Sequence, residues 1–470
     1  MITIVEPKKH IADLWGQQRV KQEATFRQMR YVLRVDHEGK TLLHNVVTGQ
    51  LAVLSPEEAE ALETLPSPYA PVMEELIKAH YLVPEDYDEH RQVVNLKNIL
   101  HRFTIAESYE GTAITHYTIL PTTACNARCY YCYEHDVRKV TMTEQTAADT
   151  IRFIVENCGP EKKIDIRWFG GEPTVAVERI DQICKGLRDH GVQIVSDMTT
   201  NGYLFDEAMV QKARTLWNLK SVMISVDGVE VHYNEIKDFI DTHDNPYQRV
   251  LRNVGLLLDA GVSVGLRMNF DIGNYQDFHV LLNEAKERYH GNKHLRVFAF
   301  PVKGEYPDKS GEIHHPGLAW SVDRLVELND AACEANLFRR ITELPSLYYT
   351  YCSAGTPSFM IISPEGKLGR CLSIFDRADQ IIGDVTSGIM TPNYCDAWRH
   401  LAVPTQCSNC TLLPSCILIE GCPGGTDCFK KESFRKTEIV QKKAYEHWKT
   451  DMKGEMYDGI RGTEGGICSD

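Results

Sequence analysis

Three cysteines, Cys125, Cys129 and Cys132, lie close together after a short apolar segment. Their spacing, CxxxCxxC, lets three thiolates bind three irons of a [4Fe–4S] cluster and leaves the fourth iron without a protein ligand. The alternative is a zinc site, but a closed zinc site takes four ligands, and no further Cys or His follows at a usual spacing. We do not expect the nearby His135 to be a ligand. The motif predicts an iron–sulfur cluster with one open iron.

A second group of cysteines occupies the C-terminal part of the chain, where Gly and Pro are frequent and the predicted elements are short. The candidate metal ligands in this group are Cys352, Cys371, Cys407, Cys410, Cys416, Cys422 and Cys428. This pattern indicates a small domain held together by metal. The alternative is a zinc ribbon built from Cys407, Cys410 and two later cysteines, which would leave Cys352 and Cys371 unused.

Four polar motifs lie in or at the ends of predicted strands between the two cysteine groups. They are Gly170-Gly171-Glu172-Pro173, Thr199-Thr200-Asn201-Gly202, Ser225-Val226-Asp227-Gly228 and Arg267-Met268-Asn269. Singly, each has a plain structural interpretation: the first is a tight turn, Asp227-Gly228 is a hairpin signal and Arg267 is half of a surface ion pair. Together they place polar groups at the ends of consecutive strands, where βα barrels carry their chemistry.

The segment that must position these residues alternates strands with helices from about residue 114. The six strand candidates are His116–Leu120, Ile164–Phe169, Gln193–Thr199, Ser221–Val226, Ser263–Phe270 and Leu295–Pro301. The helix candidates include Thr143–Cys158, Val177–His190 and Asp206–Trp217. Repetition of βα units indicates a parallel sheet. Because the repetition is unbroken, we predict an α/β fold with a partial (β/α)6 barrel rather than a doubly wound sheet.

The first hundred residues have a different character and contain no cysteine. Apolar and polar residues alternate over residues 31–55, with turn signals at His37-Glu38-Gly39 and Thr48-Gly49, which predicts two or three antiparallel strands. Ser55 and Pro56 then have the residue types of a helix N-cap and first helical position. A second predicted helix spans Ala70–Ala79. This is a small module in which strands precede helices.

Composition sets limits on the function. The chain has 470 residues, 43% of them hydrophobic and 25% charged, which indicates two or three globular domains. A formal net charge of −14 argues against nucleic acid as a partner, since phosphate contacts need clustered Lys and Arg. We expect no membrane span, no secretory signal and a cytoplasmic location. In a reducing compartment, fifteen cysteines indicate metal ligation rather than disulfides.

The cysteine motif after the first strand of a βα barrel resembles that of the radical S-adenosylmethionine (SAM) superfamily. The resemblance implies that the open iron binds the amino and carboxylate groups of SAM and that one electron cleaves SAM to a 5′-deoxyadenosyl radical. It also implies a set of SAM contacts, at Tyr131, Gly170, Gly171, Glu172, Ser225 and Arg267. Tyr131 would lie against the adenine. The Gly170–Glu172 turn would hold the ammonium, and Ser225 and Arg267 would contact the ribose or carboxylate.

The C-terminal cysteines resemble those of the SPASM domain, an extension of radical SAM enzymes that binds two auxiliary [4Fe–4S] clusters, so three clusters are expected in total. By analogy, the ligands of the outer cluster are Cys407, Cys410, Cys416 and Cys428, and those of the inner cluster are Cys352, Cys371 and Cys422. Five residues separate Cys416 from Cys422, where the family has three, so the partition stays open. The inner cluster would take Cys395 as its fourth ligand, or keep an open iron that binds a substrate thiol.

The N-terminal module is similar to the small winged-helix recognition elements that bind the leader of ribosomally made precursor peptides by strand addition. The alternative is a structural cap on the barrel. These resemblances imply a radical SAM peptide maturase that cross-links a precursor peptide, with a thioether between a cysteine sulfur and an unactivated carbon as the favoured product. A carbon–carbon or carbon–oxygen cross-link stays open. An external one-electron reductant of flavodoxin or ferredoxin type is also implied. The alternatives are a formylglycine-forming sulfatase-type maturase and, in another class, a non-catalytic iron–sulfur electron carrier.

These interpretations divide the chain into four parts. The recognition module would span residues 1–105, the partial barrel 106–335, the auxiliary-cluster domain 336–440, and a C-terminal helix and tail 441–470.

Overall fold

A computed structural model gives the architecture of the chain. It describes residues 2–5, 9–109, 113–132, 134, 137–240, 242, 244–289, 291–302, 318–338, 344–348, 352–375, 377–391, 394–395, 407–416 and 430–451. Of the candidate ligands, Cys422 and Cys428 lie outside the described residues, as does the expected C-terminal tail. No helix among the described residues is long and apolar enough to cross a membrane.

The described part of the N-terminal module contains two antiparallel sheets and four α-helices. Its strands are β1 (Thr3–Val5), β2 (Thr25–Gln28), β3 (Val32–His37), β4 (Lys40–Asn45), β5 (Leu51–Leu54), β6 (Ser67–Pro68) and β7 (Leu82–Pro84). Its helices are α1 (Lys9–Trp15), α2 (Pro56–Glu60), α3 (Glu74–Lys78) and α4 (Glu89–Tyr109). One sheet has the order β1-β5-β4-β3 and the other the order β6-β2-β7.

Local signals explain the middle of this module. The expected strands over residues 31–55 are β3, β4 and β5, joined by turns in which Gly39 and Gly49 have φ values of 70° and 75°. Ser55 accepts a hydrogen bond from the Glu58 backbone, while the Glu58 side chain returns to the Ser55 backbone. This capping box confirms the predicted start of α2.

Within the residues that the structure describes, the barrel segment contributes six parallel strands and six α-helices. The strands are β8 (His116–Thr122), β9 (Lys163–Gly170), β10 (Gln193–Thr200), β11 (Leu219–Ser225), β12 (Ser263–Phe270) and β13 (Leu295–Pro301). The helices are α5 (Glu144–Asn157), α6 (Val177–Asp189), α7 (Glu207–Thr215), α8 (Glu230–Lys237), α9 (Pro246–Asp259) and α10 (Asp277–Tyr289). All six predicted strands and all three named helices are confirmed, within about two residues at their ends.

The strand order in this sheet is the same as the order in the sequence, β8 to β13. A doubly wound sheet reverses its order at a switch point, and no reversal occurs among these strands. The sheet therefore has the topology of a partial barrel, with every carboxyl end on one rim. Its core is a continuous apolar cluster that includes Trp168 of β9 and Trp217, both fully buried.

The C-terminal part is built from short elements, as expected from its composition. After α11 (Leu318–Glu334) come β14 (Phe359–Ile362), β15 (Lys367–Gly369), β16 (Gly383–Asp384), β17 (Gly388–Ile389) and α12 (Lys430–Asp451). β14 pairs in parallel with β8, and β15, β16 and β17 continue the sheet in antiparallel fashion. Cys352 and Cys371, which flank β14 and β15 in the sequence, are thus held near the first barrel strand.

Helices span two of the expected boundaries. The boundary after residue 105 falls inside α4, which continues to Tyr109, and the boundary after residue 440 falls inside α12. Neither helix has an internal Pro or Gly that would end it at those positions. Helix α12 also packs on the N-terminal sheet, where the Gln441 side chain donates to the carbonyls of Leu33 and Leu42.

Candidate active site

The cysteine motif forms a loop directly after β8. All three thiols are partly buried, and the Cys132 backbone donates to the carbonyl of Cys129. Burial raises the pKa of each thiol, that of Cys125 to about 12. Because thiolates rather than thiols bind metal, loading this loop must release protons.

The donor set in this loop fits an iron–sulfur cluster. It consists of three soft sulfur atoms, the ligand type that such clusters take. Among the residues that the structure describes, no group of three or more His, Cys, Asp or Glu could hold a single metal ion. A four-iron cluster does not require that convergence, since each cysteine binds a different iron.

Polar groups from neighbouring strand ends hold the cysteine loop in place. The Asn126 side-chain oxygen accepts a hydrogen bond of 2.7 Å from the Asn201 amide, which follows β10. The Asn126 carbonyl accepts from the backbone of Ile240, and the Arg128 backbone donates to the carbonyl of Lys237. The loop is therefore fixed from two sides, by the TTNG motif and by the chain that follows α8.

Gly170 and Gly171 let β9 end in contact with the start of this loop. A Cβ at Gly170, where φ is +121°, would lie 2.2 Å from the carbonyl oxygen of Thr122. A Cβ at Gly171 would lie 2.4 Å from the carbonyl oxygen of Ala124. Both distances are too short for non-bonded carbon and oxygen atoms. Both positions therefore require glycine, which lets the end of β9 approach the backbone of residues 122–124.

Glu172 is completely buried and holds two strand ends together. Its Oε1 accepts hydrogen bonds from the backbone and hydroxyl of Thr174 and from the Thr200 hydroxyl, and its Oε2 accepts from the Asn201 backbone. Burial raises the pKa of this carboxyl, while the four donors favour its charged form. A contact with the SAM ammonium stays a prediction for this residue.

A buried ion pair lies behind the cysteine loop. Lys237 Nζ is 2.7 Å from Asp227 Oδ2, and the two side chains are 2% and 0% exposed. The ammonium also donates to the hydroxyls of Ser225, at 2.7 Å, and Tyr131, at 3.0 Å. Burial alone would lower the pKa of Lys237, but the Asp227 carboxylate raises it above its usual value. Lys237 is therefore a charged ammonium inside the protein.

The two tyrosines of the cysteine loop are anchored to the ends of β11 and β12. The Tyr131 hydroxyl donates to Asp227 and accepts from the Asn269 amide at 3.0 Å. The Tyr130 hydroxyl donates to Asp271. These bonds fix the position of the Tyr131 ring, the predicted neighbour of the adenine.

Arg267 lies on β12 beside this network. Its guanidinium carbon is 5.6 Å from the centre of the Phe300 ring. Its Nε is buried and has no hydrogen-bond partner among the described residues. Buried donors in proteins are normally satisfied, so an unsatisfied one at the rim of the barrel fits an absent acidic or hydroxyl-bearing ligand.

The structure thus brings together the sequence-predicted residues from the cysteine motif to Ser225. Sequence reasoning missed Lys237 and gave no role to Asp227 or Asn269. Asp227 and Asn269 belong to motifs that were noticed, so their position after consecutive strands was an available signal. Lys237 had none, because a lysine at the end of an amphipathic helix ordinarily faces water.

In the C-terminal part, Arg370 joins the segments that carry Cys352 and Cys371. Its guanidinium donates to the carbonyls of the turn that follows Cys352, including Ser353 at 3.2 Å and Ala354 at 2.9 Å. Cys371 packs beside Ala354 in a small apolar cluster. The two cysteines expected to share the inner cluster are therefore held on neighbouring segments.

Arg370 also lies 5.0 Å from the ring centre of Tyr394, which places the segment with Cys395 on this side of the domain. Cys395 is buried, with 4% of its surface exposed. Whether it closes the inner cluster stays a prediction. The outer-cluster candidates Cys407, Cys410 and Cys416 lie on one short segment that contains a 3₁₀ turn, Leu413–Ser415.

Comparison with known proteins agrees with this geometry. The model of the radical SAM superfamily matches residues 119–285. A GTP 3′,8-cyclase of Rhodopirellula baltica is 33% identical over 146 residues, which cover 30% of this chain and 38% of that protein. A probable GTP 3′,8-cyclase of Methanococcus maripaludis is 27% identical over 165 residues, covering 35% and 52%. The chain thus spans about half or less of the length of these relatives.

Solved structures share the fold over a longer stretch. Native anSMEcpe with bound AdoMet and a Cp18Cys peptide has a TM-score of 0.54 at 16% identity and covers 72% of this chain and 99% of that one. SuiB of Streptococcus suis has a TM-score of 0.50 at 15% identity and covers 83% and 94%. Residues 119–285 are therefore a radical SAM domain.

Replacing Gly171 with alanine should disrupt the cysteine loop, because the new methyl group would meet the backbone of Ala124. We expect Gly171→Ala to lower both the thermal unfolding midpoint and the iron content of anaerobically reconstituted protein. Gly255→Ala in α9 is the matched control, since its methyl would meet the Tyr289 ring at an ordinary 3.8 Å. Wild-type iron content in Gly171→Ala would show that the close approach is not needed.

Replacing Lys237 with methionine should leave the Asp227 carboxylate buried without its counter-charge. We expect the free energy of unfolding to fall by about 3–5 kcal/mol in Lys237→Met. The double variant with Asp227→Asn should recover part of that loss. The control is Lys185→Met, which breaks an exposed pair with Asp189 and should cost about 0–1 kcal/mol. Equal losses in the two lysine variants, measured by chemical denaturation, would mean that the buried pair is not stabilising.

Proposed function

We propose that this protein is a radical SAM peptide maturase that cross-links residues of a ribosomally made precursor peptide, with a thioether as the product. The observation that carries the proposal is the joining, in one chain, of a radical SAM site, cysteine-bearing segments and an N-terminal β-sheet module. The radical SAM site supplies the reaction, the cysteine-bearing segments supply electron acceptors, and the module supplies a surface for an extended peptide.

At the radical SAM site, Cys125, Cys129 and Cys132 would hold the cluster. When bound, the cluster and SAM supply a 5′-deoxyadenosyl radical, using one electron from a flavodoxin- or ferredoxin-type reductant. The protein's own part is to orient SAM. The fixed ring of Tyr131 would lie against the adenine, and the unsatisfied Arg267 donor would bind a SAM oxygen.

Forming the thioether requires the substrate to lose two hydrogens. One hydrogen atom would pass from carbon to the radical that the bound cofactors supply, the thiol would lose a proton, and one electron would leave as the carbon–sulfur bond formed. An auxiliary cluster is a suitable acceptor for that electron. We assign the outer cluster to Cys407, Cys410, Cys416 and Cys428, and the inner cluster to Cys352, Cys371 and Cys422, so that the protein holds three clusters.

The N-terminal sheet offers an edge for the leader of the precursor. Among the described residues, its edge strands are β1 and β3. At β3, the carbonyl of Leu33 is already bonded to Gln441 of α12. At the other side, β1 is a strand of only three residues. Because α12 already binds the β3 edge, we place leader binding at the β1 edge, where an extended peptide can add main-chain hydrogen bonds.

Two features favour this function over its alternatives. A formylglycine-forming sulfatase-type maturase would need the barrel and auxiliary clusters but not the N-terminal module. An electron carrier would need no glycine turn pressed against the cysteine loop and no unsatisfied arginine beside it. The anSMEcpe structure contains a bound peptide, which supports a peptide as the class of substrate.

The triple variant Cys125→Ala, Cys129→Ala and Cys132→Ala should lose SAM cleavage and one cluster. We expect about twelve irons per chain in the reconstituted wild type and about eight in the variant, with no 5′-deoxyadenosine formed. Cys184→Ala, at a buried position on α6, is the control and should keep its iron. Stoichiometric zinc with about four irons in the wild type would refute the auxiliary-cluster assignment.

Leader binding should protect the β1 side of the N-terminal sheet from hydrogen exchange. The probe is a candidate precursor, a short cysteine-bearing peptide chosen from the reading frames that neighbour the gene for this chain, added to the reconstituted full-length enzyme. We expect slower amide exchange over residues 2–5 and 51–54, and a product lighter than the peptide by two hydrogens after SAM and reductant are added. A scrambled leader is the control. Cross-linking without protection of this edge would show that the module does not bind the leader.

A further inference from the structure

The N-terminal module and the outer-cluster segment share one hydrophobic core. Leu412 and Leu413 are each 6% exposed and belong to the same buried cluster as Tyr31 and Val93 of the module. The side chains of Cys407 and Cys410 pack against that cluster. The module is therefore in contact with the candidate metal ligands, although more than 300 residues separate them in sequence.

Lys97 of α4 binds the far end of this segment. Its ammonium donates to three carbonyl oxygens, those of Leu413 at 3.3 Å, Pro414 at 3.2 Å and Cys416 at 3.0 Å. An ammonium has three hydrogens to donate, so this site matches its full capacity. Two of these carbonyls belong to the 3₁₀ turn, and the third is that of Cys416, the candidate ligand after the turn. Lys97 therefore fixes the position of the Cys416 backbone.

Arg30 binds the near end. Its guanidinium donates to the carbonyl of Ser408, which follows Cys407, at 3.0 Å. The segment is also bonded from the connecting chain, since the Tyr348 backbone donates to the carbonyl of Pro414. The adjacent Leu347 backbone donates to the carbonyl of Val47 in the module. Both ends of the cysteine segment are thus held by contacts that begin in the module.

We propose that the N-terminal module forms one wall of the outer auxiliary metal site, and that Lys97 and Arg30 are positioning residues for its cysteines. The identity of the metal as a [4Fe–4S] cluster rests on the proposed function, whereas the contacts do not. Metal binding to the segment and folding of the module are then linked, because each stabilises the arrangement that the other requires. Removing the module would uncover Leu412 and Leu413 and disturb the metal site.

The test compares full-length variants after anaerobic reconstitution. Lys97→Met should lose about four of about twelve irons and the spectroscopic signal of one auxiliary cluster. SAM should still change the spectroscopic signal of the cluster held by Cys125, Cys129 and Cys132. Lys97→Arg, which keeps a charged donor, should restore most of the lost iron. Lys78→Met is the matched control, because that lysine pairs with Glu74 and Glu75 of its own helix.

A reciprocal measurement guards against simple misfolding. In Cys407→Ser/Cys410→Ser, hydrogen exchange should become faster in α4 than in the wild-type holoenzyme, while exchange in the barrel helix α6 stays the same. Full iron in Lys97→Met, together with unchanged exchange in α4, would overturn the inference and leave the proposed function intact. A wild type without auxiliary iron would overturn both.

Discussion

The buried ion pair of Lys237 and Asp227 determines how the cysteine loop meets the barrel. Two charges inside a protein are stable only while each faces the other and its remaining donors or acceptors are bonded. Here Asp227 follows β11, Lys237 ends α8, and the Tyr131 hydroxyl completes the site. The loop cannot move without separating these groups, so the pair holds the predicted SAM-contacting ring in one position.

The consecutive strand order brings the polar residues at neighbouring strand ends into contact. In a parallel sheet built in sequence order, the residue that follows each strand lies beside the residue that follows the next. Asp227 after β11 therefore meets Asn269 at the end of β12, and Glu172 after β9 meets Thr200 at the end of β10. Gly171 then lets the first strand's loop close on this rim. The polar motif at one strand end thus helps to position the polar motif at the adjacent strand end.

The same chain joins its first and last parts through apolar contact. Val440 and Tyr445 of α12 pack on apolar residues of the N-terminal sheet, and the Cys407–Cys416 segment adds Leu412 and Leu413 to the core of the N-terminal module. A module of this size buries little apolar surface by itself, so the added leucines contribute to its stability. The N-terminal module, proposed to recognise the substrate, therefore packs directly against the Cys407–Cys416 segment, proposed to hold an electron-accepting cluster.

Local signals in the sequence determined the strands and helices and indicated the radical SAM domain. Alternation and capping residues such as Ser55 and Thr143 act within a few positions, so six strands and their helices were predictable, as was the ligand spacing of the cysteine motif. Only the tertiary structure decided that Lys237 faces inward, that α4 runs past the expected boundary, and that Lys97 reaches Cys416. Those contacts join residues far apart in the chain, and no local pattern records them because loop closure and packing create them.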